Sequence, residues 1–342
     1  MLRFALPLTA LLAASAAQAA DPVPAEVLDL SEWKITLPSD DDGDGKPDIV
    51  EVKEIRKFSH PDWFHIGESG GVVFTAPNKA ATTANSSNTR SELRHMLRGK
   101  NTKLKTHGPG NNFAVEARKG SDKFARVGGR LDATLHVDHV AARRGERPSR
   151  SAHSAVVGQI HAVKYDDTSS GFGYGNEPIK IFYKKYPDHE YGSVFWTYER
   201  NLPRGNPDRK DIAYPVFGVD WADKTDPGEA GVKLGEDFSY TINVHRNMMH
   251  LTFSSPRHGS KVFTKSLVTQ HDAYGEIDTR DNPYSYGGDT LFFKAGAYNQ
   301  CSPKSDGTGC PGTGDWAVDE ANGDFTRVTF TALEVGESTA PE

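Results

Sequence analysis

From Trp33 to Val335 the chain is built of short runs in which apolar and polar residues alternate. They cover residues 33–37, 70–76, 90–97, 111–118, 129–140, 154–163, 178–186, 192–200, 238–247, 249–255, 289–300 and 325–335. The runs are rich in β-branched and aromatic residues and are bounded by Gly, Pro, Asn and Asp, so each reads as a strand. No segment carries a sustained helical period. A dozen strands without a long helix predict an all-β protein: two antiparallel sheets face to face, with the jelly roll as leading topology.

Three of these strands share a design. Successive strand residues point to opposite faces, so RSELR puts Arg90, Glu92 and Arg94 together, with Ser91 and Leu93 behind them. GQIHA likewise pairs Gln159 with His161 and turns Ile160 away. In LFFKAGAYNQC, Lys294, Tyr298 and Gln300 share one face while Phe293, Ala295 and Ala297 share the other. An ordinary solvated face mixes Lys, Glu, Thr and Ser. Here guanidiniums, an imidazole, a phenol and amides recur, groups suited to holding a carboxylate and moving a proton. If the three strands are neighbours, their polar faces form one basic floor.

The first residues, MLRFALPLTALLAASAAQAA, have one early cation, a short apolar run and a small-residue end. This describes a secretory signal peptide over residues 1–20, cleaved after Ala19 or Ala20. The expectation is an exported protein, secreted or periplasmic, with residues 21–342 as one domain and no membrane span. Loss of Arg3 takes the formal net charge from -6 to -7. In an oxidising compartment the only cysteines, Cys301 and Cys310, are expected to close a Gly-rich loop as a disulfide. No nucleic-acid or membrane partner is expected, and the chain is expected to be a monomer.

RSELR, QIH and KAGAYNQ resemble, in order and spacing, the signature segments of alginate lyases of polysaccharide lyase family 7. The resemblance extends to WKITLP at 33–38 and to the last strand at 323–335, so it spans nearly the whole mature chain. It implies a concanavalin/glucanase-like jelly roll with a cleft across its concave sheet, acting on the anionic polysaccharide alginate. Such enzymes cleave by β-elimination: the C5 proton leaves, the O4 glycosidic oxygen departs and a C4–C5 double bond remains. The C5 proton is weakly acidic beside a charged carboxylate, so one group must neutralise that carboxylate, one take the proton and one protonate O4.

The resemblance assigns the first task to Arg90, helped by Gln159 and His161; the planar arginine fork suits a carboxylate. Tyr298 is the expected acid, since a phenol titrating near ~10 is a poor base at neutral pH. In guluronate the C5 hydrogen and O4 lie on opposite sides, which suits His161 as base and Tyr298 as acid. In mannuronate they lie on the same side, and Tyr298 could serve both steps. Family members with Ile inside QIH tend toward guluronate-containing blocks, so internal cleavage of guluronate or mixed blocks is expected. Glu92 is expected to orient Arg90 and Arg94, with substrate contact as its other role. Arg94 and Lys294 are expected to meet neighbouring sugars, and Gln300 to support the strand end or the substrate.

Other signals change the picture less. Salt screens net charge beyond ~10 Å, so a local basic cleft can prevail over an acidic total. Arg143, Arg144, Arg147 and Arg150, just before QIH, form either a loop over the cleft that meets further uronates or a solvated basic loop. DDDGDGKPDIVE fits a calcium-loop pattern with Asp40, Asp42, Asp44, Asp48 and Glu51 as ligands. Any such calcium would be structural, because the elimination needs no metal cofactor. EIDTRD at 276–281 suggests a rival, a jelly-roll glycoside hydrolase, although Asp281 sits a methylene short of the usual Glu. A non-catalytic carbohydrate-binding module is the third reading, with Trp196 and Tyr198 as its platforms.

Overall fold

The computed structural model describes residues 22–303 and 309–341; the expected signal peptide lies outside them. Two antiparallel sheets pack face to face as a jelly-roll sandwich. The first runs in the order Asp211–Phe217, Ser193–Glu199, Ile179–Lys184, Ser154–Ala162, Leu291–Asn299, Arg90–His95, Trp33–Thr36, Ile49–Val50. The second runs Gly259–Ser266, Met248–Ser255, Phe238–His245, Gly129–His139, Phe325–Gly336, Val72–Pro77, Phe64–Ile66.

Alternation decides which face of the first sheet is buried. Leu93, Ile160, Phe293, Ala295 and Ala297 join Phe74, Leu135, Tyr240 and Phe330 of the other sheet in one core. Phe293 stacks on Phe113 at 4.8 Å and Phe74 meets Phe330 edge-on at 5.3 Å. Each such ring contributes roughly 1.5–3 kcal/mol through burial. That layer pins the register, since a slip by one residue would bring the polar set into the core.

The chain departs from simple alternation in places with local causes. The expected 111–118 strand shrinks to Phe113–Ala114, because the Asn111 and Asn112 amides donate to the Thr106 and Gly108 carbonyls and fold the approach into turns. Asp211–Phe217 and Gly259–Ser266 were not legible as strands. Both are edge strands, the first containing Pro215 and the second largely exposed. The one α-helix among the described residues, Trp316–Asn322, is capped by Asp315 and ended by Gly323 at φ 70°. It is too short for a helical period to show.

Candidate active site

The strand order settles what alternation could not. Leu291–Asn299 lies between Ser154–Ala162 and Arg90–His95. Lys294 stands opposite Arg94 on one side and Gln159 on the other, Tyr298 opposite Arg90, and Phe292 opposite His161. The three polar faces therefore form one floor. Gly296 lets the strands approach this closely: at φ +139° a Cβ there would lie 2.5 Å from the Ser91 carbonyl oxygen. The pairing with Ser154–Ala162 shifts between Ala295 and Tyr298, and Gly158 leaves room for Tyr240, whose hydroxyl donates to the Val157 carbonyl at 3.1 Å.

Glu92 is the hub of the floor and is only 2 % exposed. Arg90 Nη1 donates to its Oε2 at 2.9 Å, Lys294 Nζ contacts the same oxygen, and Gln159 Nε2 donates to Oε1. Burial pushes the Glu92 carboxyl up, but Lys294 and Arg90 outweigh it and hold it below the ordinary value. Two cations against one carboxylate leave the cluster one positive charge in excess. Burial, aided by Arg90, lowers the Lys294 ammonium to about 8 against the pull of Glu92. Arg90 Nε is buried without a hydrogen-bond partner.

The contacts of Glu92 correct one expectation: it orients Arg90 and Lys294, and Arg94 is not among its partners. The Arg94 guanidinium is buried and donates to the carbonyls of His95 and Thr106, to Asn112 Oδ1 and to the Met96 sulfur. It also lies 3.9 Å from the centre of the Phe292 ring. Its donors face protein acceptors because the 96–112 segment folds back over it, so it supports the floor and does not meet a sugar.

His161 rests on Phe292, ring centres 5.3 Å apart and nearly parallel. Its Nδ1 lies 2.6 Å from the Ala162 carbonyl, which fixes Nδ1 as the protonated nitrogen and leaves Nε2 as the basic one. Burial pushes its pKa down, and Glu177, with Oε1 at 3.2 Å from Nε2, pulls it back up. That contact becomes an ion pair only once Nε2 takes a proton, and in the neutral ring the Nε2 lone pair is not tied to the carboxylate. Burial also raises Glu177, but Lys180 and His161 hold it well below the ordinary carboxylate range. Lys180 bridges Glu177 at 3.3 Å and Asp211 at 3.0 Å. Burial and Glu177 push neighbouring Glu199 up to about 9. Sequence reasoning missed Glu177, which precedes its strand and follows the turn-forming GYGN. Its spacing to Lys180 was the one signal, and a weak one.

Tyr298 lies under Arg90, whose Cζ is 3.9 Å from the ring centre, and its hydroxyl is 3.1 Å from Ser86 Oγ. Ser86 belongs to a loop at one end of the strands and Lys164 to a loop at the other. Lys164 Nζ reaches Asn85 Oδ1 at 3.4 Å, so the two loops touch across the polar face. Gln300 folds its amide back toward the Tyr298 and Asn299 carbonyls at the strand end. Cys301 and Cys310 form the expected disulfide, packed with Ala141 and Ala152 directly beyond Gln300. Ile160 is fully buried in the core, so it has no contact through which to select a sugar.

The remaining expectations divide. Arg143 pairs with buried Asp324, and Arg144 with Asp188 at 2.6 Å. Arg150 instead lies over Trp221, 4.1 Å from the ring centre. Asp40, Asp42 and Asp44 bring carboxylate oxygens within 4.8 Å of one another. Glu51 is drawn away to Lys34 at 2.9 Å, and Asp48 accepts from the Asp41 backbone, so the five-ligand calcium loop does not assemble as expected. EIDTRD is turn, not strand: Asp281 accepts from the Tyr198 hydroxyl and Asp278 pairs with Arg200, which removes the glycosidase arrangement. Trp196 is fully buried against Tyr214, and Tyr198 is 3 % exposed, so neither can be a sugar platform.

The chain matches the family model described as "Alginate lyase" over residues 28–337. It is 35% identical to an alginate lyase of Klebsiella pneumoniae over 291 residues, covering 83% of this chain and 86% of that one. The crystal structure of the alginate lyase from the same organism superposes with a TM-score of 0.72 at 31% identity, covering 93% and 99% of the two chains. An exolytic family 7 alginate lyase of Zobellia galactanivorans gives a TM-score of 0.74 at 33% identity, covering 94% and 99%.

Proposed function

The chain belongs to the alginate lyases of polysaccharide lyase family 7 and is a polysaccharide lyase, and on that premise we propose that it cleaves alginate by β-elimination on the Arg90–Gln159–His161–Tyr298 floor. The observation that carries this reading is the Glu92 cluster, whose excess positive charge is shared by Arg90 and Lys294. A uronate carboxylate placed against Arg90 and Gln159 is neutralised, and the second negative charge that builds on proton removal meets fixed donors. Such preorganised donors are worth roughly 10²–10³ in rate each. His161 Nε2 takes the C5 proton, and the electron pair forms the C4–C5 bond as O4 departs with a proton from Tyr298. Separate base and acid favour guluronate and mixed blocks, with internal cleavage.

The Zobellia relative is exolytic, which makes release of short products from chain ends the second reading. Incubation with polyguluronate, polymannuronate and mixed-block alginate decides among these. Ultraviolet absorbance of an unsaturated product is expected in every active case, fastest on guluronate-containing blocks and with products of intermediate length early in the reaction. Reducing ends without absorbance would overturn the lyase chemistry, and short products alone would establish the exolytic mode.

Glu177 supplies a pH prediction. It raises the pKa of His161 and stabilises the imidazolium formed when Nε2 accepts the C5 proton. In Glu177→Gln that support is lost, so the imidazole stays neutral to lower pH. The acidic limb of kcat/KM is expected to move to lower pH, with the plateau falling about tenfold or more for loss of part of the acid–base assistance. An unmoved or alkaline-shifted limb would mean that His161 is not the base. We propose further that the protein acts outside the cytoplasm, as the leader-like residues 1–20 suggest, and that any cation held by Asp40, Asp42 and Asp44 serves the fold alone.

A further inference from the structure

Trp221 borders a concavity of about 650 Å³, within the range typical of ligand sites. Its walls include Arg144, Arg150, His153, Tyr186, Trp221 and Lys224. Trp221 links it to the catalytic floor: its indole packs on Phe182 and Phe195, and these with Val156 form a small cluster against which Tyr298 also packs. This cluster joins the concavity to the catalytic floor.

The charge there is only partly met by direct pairing, with Asp188 as the one carboxylate in the walls. Arg144 is matched by Asp188, but among the described residues neither Arg150 nor Lys224 has a carboxylate partner. Asp220, Asp223 and Asp226, on the loop that carries Lys224, accept instead from backbone groups of Ala222, Thr225, Gly228 and Glu190. The Arg150 guanidinium lies on the Trp221 indole and donates no hydrogen bond to the described residues. Lys184 donates from below to the Arg150 carbonyl at 2.5 Å, and burial, with Lys224 and Arg150 adding to it, pushes its ammonium down to about 8. Lys184, Lys224 and Arg150 stand close enough to repel one another, and the exposed Arg150 guanidinium rests 4.1 Å from the centre of the Trp221 ring.

We propose that this concavity is a second anchoring site for the polyuronate, taking the carboxylate of a sugar residue outside the pair being cleaved, with Arg150 and Lys224 as its ligands and Trp221 as the surface beneath. The site rests on the lyase reading for the identity of its ligand. Its chemistry, two exposed cations beside an aromatic face, selects an anionic sugar over a neutral one. It separates binding of the long chain from the chemistry at Tyr298, so it acts on KM and not on kcat.

The test compares the native chain with the R150S/K224S double variant. Both side chains are exposed, and an unchanged melting temperature verifies folding. On polymeric alginate at low salt, KM is expected to rise about fivefold to tenfold, the scale of two exposed ionic contacts. kcat should stay constant, and the difference should shrink in 1 M salt, where the screening length falls to about 3 Å. The shortest oligouronate that the protein cleaves should show no difference. An unchanged KM on polymer, or an equal rise on the shortest substrate, would overturn the site. In native gels containing alginate the native chain should be retarded more than the variant, and neutral polysaccharide should retard neither. A native chain that makes no unsaturated product fails the lyase reading, while selective retardation would still uphold the anchoring site; equal retardation of both overturns it.

Discussion

Tyr298→Phe is expected to lower kcat on alginate by about 10²–10⁴-fold, the usual worth of a positioned acid or base, while leaving polymer binding intact. The substitution is unusually clean here. The ring keeps its place under the Arg90 guanidinium and its packing against the Val156, Phe182, Phe195 and Trp221 cluster. Only the hydroxyl is lost, and its protein contact is Ser86 Oγ, which also bonds the Asn88 backbone. The melting temperature should therefore move little, and retention on immobilised alginate should persist. A residual rate within about tenfold of the native one would place the acid elsewhere. His161 and the Glu92 cluster would remain as the candidates.

The second large effect is on stability. Glu92→Ala removes the acceptor shared by Arg90, Lys294 and Gln159 and leaves two cations on a buried floor. Removing one partner of a buried ionic cluster costs about 3–5 kcal/mol, because the desolvation of the others is no longer offset. Denaturant unfolding should show a lower midpoint at unchanged slope. Activity should fall as well, since Lys294, already lowered to about 8, loses the carboxylate that favours its charged form. The carboxyl of Glu92 is held below its ordinary 4.5. Its contribution is thus fully present above that value and is lost as pH falls toward the lowered one. Glu92→Gln should consequently be destabilised at neutral pH and show a weaker acid dependence than the native chain. Equal stability of native and Glu92→Ala proteins at neutral pH would mean that the cluster is not a structural unit.

These expectations rest on features of unequal legibility. The positions that share the polar face were readable because a strand has a period of two and each of the three strands keeps its apolar set toward the core. What Glu92 touches was not readable. Arg94 is its neighbour in sequence and on the same face, yet Lys294, paired with Arg94 and diagonal to Glu92 across Gly296, takes the contact, because the Arg94 donors are held by His95, Thr106, Asn112 and Met96. Arg94 was misjudged for a related reason: the carbonyls that receive its donors come from a loop whose fold depends on Asn111 and Asn112. The four arginines of the 143–150 segment looked alike in sequence. Asp324 and Asp188, remote along the chain, take Arg143 and Arg144, while Arg150 lies on Trp221.

The sequence by itself determined the all-β class, the membership signalled by RSELR, QIH and KAGAYNQ, and which side chains face the same way. Those properties follow from local periodicity and from residue chemistry. Only the tertiary structure decided that the Leu291–Asn299 strand lies between the other two, that Glu177 stands beside His161, that Glu51 turns from the acidic loop to Lys34, and that Arg150 lies on Trp221. Each of these is a pairing between residues far apart along the chain. Such pairings are set by how two sheets bury their apolar faces against each other, and no local period records that.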